Sequence, residues 1–391
     1  MSVAVDRDEA FLQSIRRIAD EVAAKHADEV DREARFPAEA IDALRDERAL
    51  SAMLPAHLGG AELGLETIAT GCFELGRRCG ATAMVFAMHQ IQVASIVRHL
   101  DDAPWFEDYL QVLDRDQRLI ASATSEVGTG GDMGRSVAAV TAADGELCTF
   151  EKQAPTVSYG ANAEDLFVTL RRSPEAEGSD QVIALAHANQ IELEQTSSWD
   201  PLGMRGTCSP GYVIRARIRP EQVLPTPFPR VSAETMVPVS HILWSHLWLG
   251  IATDAFDRAR AFVRAAARRK PGEPLQAGVR LSRVLSELSL LRAEVSCGLS
   301  DFSAASAAPE RAPLSTVSMA VRFNNLKIAS SEQAPLVCQR ALEVCGIMGF
   351  KNDTPFSVGR HLRDTMSASL MIANERIHET NASLLLIAKD V

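Results

Sequence analysis

The chain is 391 residues long, enough for two or three units with cores of their own, and its 46% hydrophobic and 23% charged residues are those of an ordinary globular protein. A net charge of −11 argues against a general nucleic-acid binder, and seven scattered cysteines without CxxC or zinc-like spacing argue against a disulfide framework or a metal site. No basic-then-apolar leader opens the sequence and no uninterrupted apolar run is long enough for a bilayer, so the expectation is a cytoplasmic protein with free thiols that binds neither membrane nor nucleic acid.

The first third reads as helical. Residues 11–26 place Leu12, Ile15, Ile18, Ala19 and Val22 on one helical face. Pro37 suits the first turn of a helix over residues 38–50. A glycine-rich turn at 54–64 leads to helices at 65–78 and 82–100. The second of these is apolar on nearly every side, which predicts a central position, and His89 within it reads as a packing histidine.

From residue 118 the texture changes. Residues 137–141, 147–150, 166–170, 181–186 and 212–218 are apolar runs separated by Gly, Asp, Asn and Pro, the pattern of short strands in a small barrel or sandwich. Pro220, Pro225, Pro227 and Pro229 mark a boundary. Helical spacing then returns at 237–269, 281–300, 314–345 and 366–389, with a softer connection at 304–313. Four long helices with short connections predict an antiparallel bundle. The expected chain is α+β: a helical region at 1–117, a β region at 118–229 and a four-helix bundle at 230–391.

Where the helices give way to strands, residues 121–136 crowd hydroxyls, two acids and four glycines into a stretch with neither helical nor strand period. Glycines let backbone approach a ligand, and hydroxyls and amides can bond the polar edge of a cofactor. An ordinary surface turn is the alternative for the loop taken alone.

Ser125-Glu126-Val127-Gly128-Thr129-Gly130-Gly131-Asp132 resembles the Thr-Glu-Pro-Gly-Ala-Gly-Ser-Asp motif of the acyl-CoA dehydrogenases, with Val127 for the Pro and Gly131 for the Ser. Further stretches resemble that family in the same order. Residues 152–160 are similar to Lys-x-Trp-Ile-Thr-Asn-Gly, with Thr156 in place of the Trp. Residues 202–209 are similar to Leu-Gly-x-Arg-x-Ser/Thr. Residues 268–272 are similar to Arg-x-x-Phe-Gly, with Pro271 for the Phe. Residues 346–350 are similar to Gly-Gly-x-Gly-Phe/Tyr, and Arg363-Asp364 matches the Arg-Asp before the last helix.

The resemblance covers essentially the whole chain. It implies the acyl-CoA dehydrogenase fold, a homotetramer, and FAD (with FMN as the alternative) between the β region and the bundle. It assigns Ser125, Gly128, Gly130 and Ser158 to the flavin ring. Arg268 falls to the pyrophosphate, and Gly346 and Gly349 to the adenine end, where a neighbouring subunit contributes. Gly131, Arg205, Met371 and Ile372 fall beside substrate, although Arg205 reads equally well as a salt-bridged domain joint.

The base that removes the α-proton of an acyl thioester in most of the family falls on Ile372, and its minority position falls on Ser240. Neither side chain can take that proton. Three readings follow. In the first, an unusual acyl thioester, on CoA or a carrier protein, is oxidised with a relocated base: Glu375, His378 or His241. Glu375 lies only about 60° round a helix from Ile372 at roughly 100° per residue, though a solvated helix charge is its simpler account. His241 could serve as a neutral base or as a packing histidine. In the second, the protein resembles the family's flavin monooxygenases, which lack the Glu and use reduced flavin, O₂ and a reductase or electron-transfer partner. In the third, it is a non-catalytic flavin- or thioester-binding scaffold.

Overall fold

In the computed structural model, which describes residues 2–101, 103–130, 132–143, 146–269, 276–307 and 312–388, helices flank two small sheets. Helix α1 (Ser2–Ile18) continues through a π turn (Ala19–Ala23) into α2 (Ala24–Glu33), and the face read from the sequence is the buried one, with Ile15, Ile18 and Ala19 in the core. Helices α3 (Ala38–Asp46), α4 (Leu65–Gly76), α5 (Gly80–Val97) and α6 (Pro104–Asp116) complete this region. Helix α5 has the length and hydropathy of a membrane span, yet 89% of it is buried inside the protein. His89 is a packing histidine: Nε2 lies 2.8 Å from the Leu50 carbonyl, and Nδ1 accepts from the Ile120 N–H at 3.1 Å.

The strands are β1 (Ile120–Ala123), β2 (Thr141–Ala142), β3 (Cys148–Ala154), β4 (Asp165–Arg171), β5 (Gln181–His187), β6 (Ile191–Gln195) and β7 (Tyr212–Ile218). One sheet has the order β1-β4-β5, with β1 parallel to β4; the other is antiparallel, β2-β3-β7-β6. Lys152 of β3 is buried and donates to Thr169 of β4 at its carbonyl (2.7 Å) and hydroxyl (2.9 Å), tying the two sheets into a sandwich. The strand expected at 137–141 is a correction. Only Thr141 lies in a strand, and Ala139 makes an isolated bridge to Arg171. The Val137 and Ala138 N–H groups, which a strand partner would use, donate to the Glu126 carboxylate instead.

Helix α7 (Phe228–Val231) runs through a π turn (Ser232–Met236) into α8 (Val237–Arg269), which packs with α9 (Gln276–Ser306) and α10 (Val317–Cys345). Short helices α11 (Ile347–Phe350) and α12 (Gly359–Met366) lead to α13 (Asn374–Leu385). The fourth long helix expected over 366–389 is therefore also corrected. A turn separates α12 from α13, with Ile372 at φ 49°. The buried Lys327 of α10 holds this break open, donating to the Ile372 carbonyl at 2.8 Å and to Asn374 Oδ1 at 2.7 Å. All seven cysteines are free thiols.

Candidate active site

A cavity of about 810 Å³ opens where the sandwich meets the C-terminal helices. The glycine-rich loop supplies one wall through Asp132, Met133 and Gly134, and β5 adds Gln181. The opposite wall comes from Phe228 of α7, His241 of α8, Phe323 and Asn324 of α10, and Ile372, Arg376 and Ile377 around the start of α13.

The two positions to which the resemblance assigns the base differ in place. Ile372 lines the cavity, half-buried, and brings only hydrocarbon. Ser240 is buried, donates to the Met236 carbonyl one turn earlier at 2.5 Å, and does not line the cavity. Its neighbour His241 does. The His241 ring is 1% exposed, and Nδ1 donates to the Phe323 carbonyl at 3.0 Å. Burial pushes its pKa down to about 3; the Lys327 cation adds to the shift and the Phe323 hydrogen bond opposes it. His241 is thus a neutral ring with its proton on Nδ1. Glu375 is exposed in the first turn of α13 and His378 is exposed beyond it; neither lines the cavity. The carboxylates that do, Asp132 and Glu379, are solvent-exposed. Asp132 also closes its own loop, accepting from the Gly134 N–H at 2.8 Å.

The positions assigned to the flavin ring lie together on a ledge beside this loop. The Val127 N–H donates to the Gln153 carbonyl at 2.9 Å, and Ser125 Oγ donates to the Thr156 carbonyl at 3.0 Å. Gly128 and Gly130 turn the loop at φ 94° and 61°, which suits residues without a side chain. A Cβ on Gly130 would meet nothing nearer than Arg376 Nη2, at 3.8 Å. Ser158 is half-buried and accepts from Ser209 Oγ at 2.9 Å, which leaves its own hydroxyl proton to donate. Beneath the ledge, the Glu126 carboxylate accepts the Val137 and Ala138 N–H groups and lies 3.5 Å from Lys152 Nζ, so this acid is a structural anchor. An open ledge with a free donor and small residues fits the polar edge of a flavin ring.

The remaining predicted positions lie elsewhere. Arg268 sits exposed at the end of α8, and Gly346, at φ 57°, caps α10 beside exposed Ile347 and Phe350. Gly349 is buried in α11. None of these lines the cavity. Arg205 is committed to a domain joint, with Nε donating to the Asp31 carbonyl and Nη1 to Asp200 and the Pro201 carbonyl, each at 2.7 Å. Met371 packs half-buried against the core, away from the cavity lining. Gly131, and Lys270 to Gly272 of the Arg-x-x-Phe-Gly match, lie outside the described residues.

Sequence reasoning missed Lys327, Gln181 and Arg376. Arg376 lines the cavity with its guanidinium against the glycine loop at Gly130 and has no ion-pair partner among the described residues. A lone arginine in a helix gives no signal by itself.

Residues 6–103 match the acyl-CoA dehydrogenase N-terminal domain. The mitochondrial short-chain specific acyl-CoA dehydrogenase of Homo sapiens is 24% identical over 359 residues, spanning 90% of this chain and 84% of that protein. The probable FMNH2-dependent monooxygenase SfnC of Pseudomonas putida is 25% identical over 361 residues, spanning 86% and 85%. In fold, the crystal structure of FMN-bound TdsC from Paenibacillus sp. A11-2 superposes with a TM-score of 0.82 at 18% identity, over 96% of this chain and 97% of that one. With its helix–sandwich–helix order and its glycine-loop ledge, the chain is similar over nearly its whole length to acyl-CoA dehydrogenases and to the flavin-dependent monooxygenases that share their fold.

Proposed function

We propose that the protein is a flavin-dependent monooxygenase acting on a small, largely apolar molecule held in the cavity beside the glycine-rich loop. One observation carries this reading: no buried carboxylate lines the cavity among the described residues, and Ile372, where the resemblance puts the usual base, lines it with hydrocarbon. A hydrocarbon cannot accept the α-proton that thioester dehydrogenation releases. A bound flavin, FAD or FMN, supplies electron transfer and, once reduced by a partner reductase, reaction with O₂. The chain's own residues bind and shield. Ser158 donates to the ring edge, Ser125 and the turn at Gly128 and Gly130 support it, and Phe228, Phe323 and Ile372 keep water from the substrate. Arg268, Gly346 and Gly349 serve the cofactor of a neighbouring copy in a homotetramer.

A second reading is oxidation of an unusual acyl thioester by a relocated acceptor. Two things favour it: the near full-length similarity to a short-chain acyl-CoA dehydrogenase, and the cation of Arg376 at an apolar cavity, which suits an anionic carrier group.

The test is the spectrum of the flavin-loaded protein under strict anaerobiosis as a panel of acyl thioesters is added. The monooxygenase reading expects the flavin to stay oxidised with every thioester, and to react with O₂ only after external reduction. Bleaching by a thioester alone would replace it with the dehydrogenase reading.

A further inference from the structure

We infer that the cavity selects a substrate carrying a hydrogen-bond donor, an O–H or N–H group, which it presents to Nε2 of His241. The inference rests on the proposed function only in taking this cavity as the substrate site.

The geometry fixes the ring. Nδ1 lies 3.0 Å from the Phe323 carbonyl, which can only accept, so Nδ1 carries the proton and Nε2 carries a lone pair. Nε2 is buried and has no partner among the described residues, while the ring is 1% exposed and lines the cavity. Burial, with the Lys327 cation adding to it, keeps the ring far from protonation, so Nε2 remains an acceptor at neutral pH. A buried acceptor left bare is costly, and a ligand donor removes that cost.

A second side chain on the same cavity supports the inference. Gln181 is 1% exposed and bonds Ser136 Oγ through Nε2 at 2.8 Å, with Oε1 unpartnered among the described residues. Turning the amide over would exchange the two atoms and leave the other bare. Two side chains of the cavity lining thus carry a buried, unpartnered polar atom, among the apolar Phe228, Leu314, Phe323 and Ile377. An unsubstituted alkyl chain would satisfy neither. A site built to bond a donor discriminates against the analogue that lacks one.

The test uses flavin-loaded, oxidised protein and matched probe pairs: indole with indene, phenol with fluorobenzene, and cyclohexanol with fluorocyclohexane. Affinity is read by calorimetric titration, and the His241 Nε2 resonance by NMR of protein carrying ¹⁵N-histidine. The donor of a pair is expected to bind about five- to tenfold more tightly than its partner and to shift the unprotonated Nε2 resonance upfield. His241→Phe removes the acceptor, and His241→Asn withdraws it from the reach of Nε2 while keeping a donor for the Phe323 carbonyl; both are expected to erase the preference. Equal affinity in every pair, retention of none of the donors, or a preference that survives both substitutions overturns the inference. Because no electron transfer is needed, donor selectivity beside a redox-inert flavin would sink the proposed function and leave this inference standing.

Discussion

Ile372 matters as much through its backbone as through its side chain. A β-branched residue at φ 49° is strained by roughly 1–2 kcal/mol. It persists because the Lys327 ammonium captures its carbonyl and the Asn374 side chain together. Lys327→Met strips the Ile372 carbonyl of its donor and leaves Asn374 Oδ1 with the Ser331 hydroxyl at 3.2 Å, and is expected to lower stability by about 1–3 kcal/mol at neutral pH. The pH dependence has a definite sign. Burial lowers Lys327 from 10.5 to about 8, with Glu332 opposing the shift. Between those values the unfolded chain holds a proton that the folded protein has released. Wild-type stability should therefore rise with pH relative to Lys327→Met across that window, by up to roughly 3 kcal/mol. Urea denaturation of both proteins from pH 7.5 to 10.5 reads this difference, and a flat difference would remove Lys327 from the account. The sequence held a clue to this cation. Phe323, Lys327, Ser330, Ala334 and Val337 share one helical face, and all of them are buried. A charge on such a face needs partners, but those partners, 45 and 47 residues away, are not legible in a helical period.

At the scale of elements, the crossing of α4 and α8 is set by two glycines. A Cβ on Gly250 would lie 2.3 Å from the Phe73 carbonyl oxygen, and one on Gly76 would lie 2.5 Å from that of Leu247. The helices therefore touch backbone to backbone, and α8 carries His241 into the cavity two turns earlier. Gly250→Ala must push the pair apart, at an expected loss of about 1–3 kcal/mol in thermal unfolding. Gly278→Ala, in α9, meets nothing within 4 Å and should be neutral or stabilising by up to about 1 kcal/mol. Comparable losses in the two variants would mean that the crossing is not what glycine serves. Elements whose pattern is sustained were legible: residues 237–269 and 212–218 coincide with α8 and β7 because apolar spacing there follows one period to a clear end. Elements decided by distant side chains were not. Glu126 diverts the N–H groups of Val137 and Ala138, and Lys327 breaks the last helix at Ile372. The site divides the same way. Ser125, Gly128 and Gly130 belong to a loop legible by its hydroxyls and glycines, and Ser158 was singled out only by the resemblance at residues 152–160, whereas Gln181 and Arg376 join the cavity only through the fold.

Across the whole molecule, three regions meet at Asp31 of α2. Its carboxylate accepts from Arg363 of α12, which also donates to the Leu202 carbonyl at 3.0 Å, while its own carbonyl accepts Arg205 Nε at 2.7 Å. Arg205 therefore sits in the joint that its sequence context left as one of two readings. The other long-range feature is apolar surface: Ile347 and Phe350 are 68% and 70% exposed, next to Gly346 and away from the cavity lining. In the homotetramer we propose, Arg268, Gly346 and Gly349 contact the flavin of a second copy, and covering this surface and holding cofactor are then one event. Phe350→Asp should place a charge in that contact without disturbing the fold, since the side chain already faces solvent. Sedimentation and flavin retention should then fall together: wild type as an assembly that keeps its flavin through gel filtration, the variant as smaller species that lose most of it. A variant that dissociates yet keeps its flavin would confine the cofactor site to the ledge at Ser125 and Ser158. A wild type that is monomeric with flavin bound would do the same, and Arg268 would become a solvated charge at the end of α8.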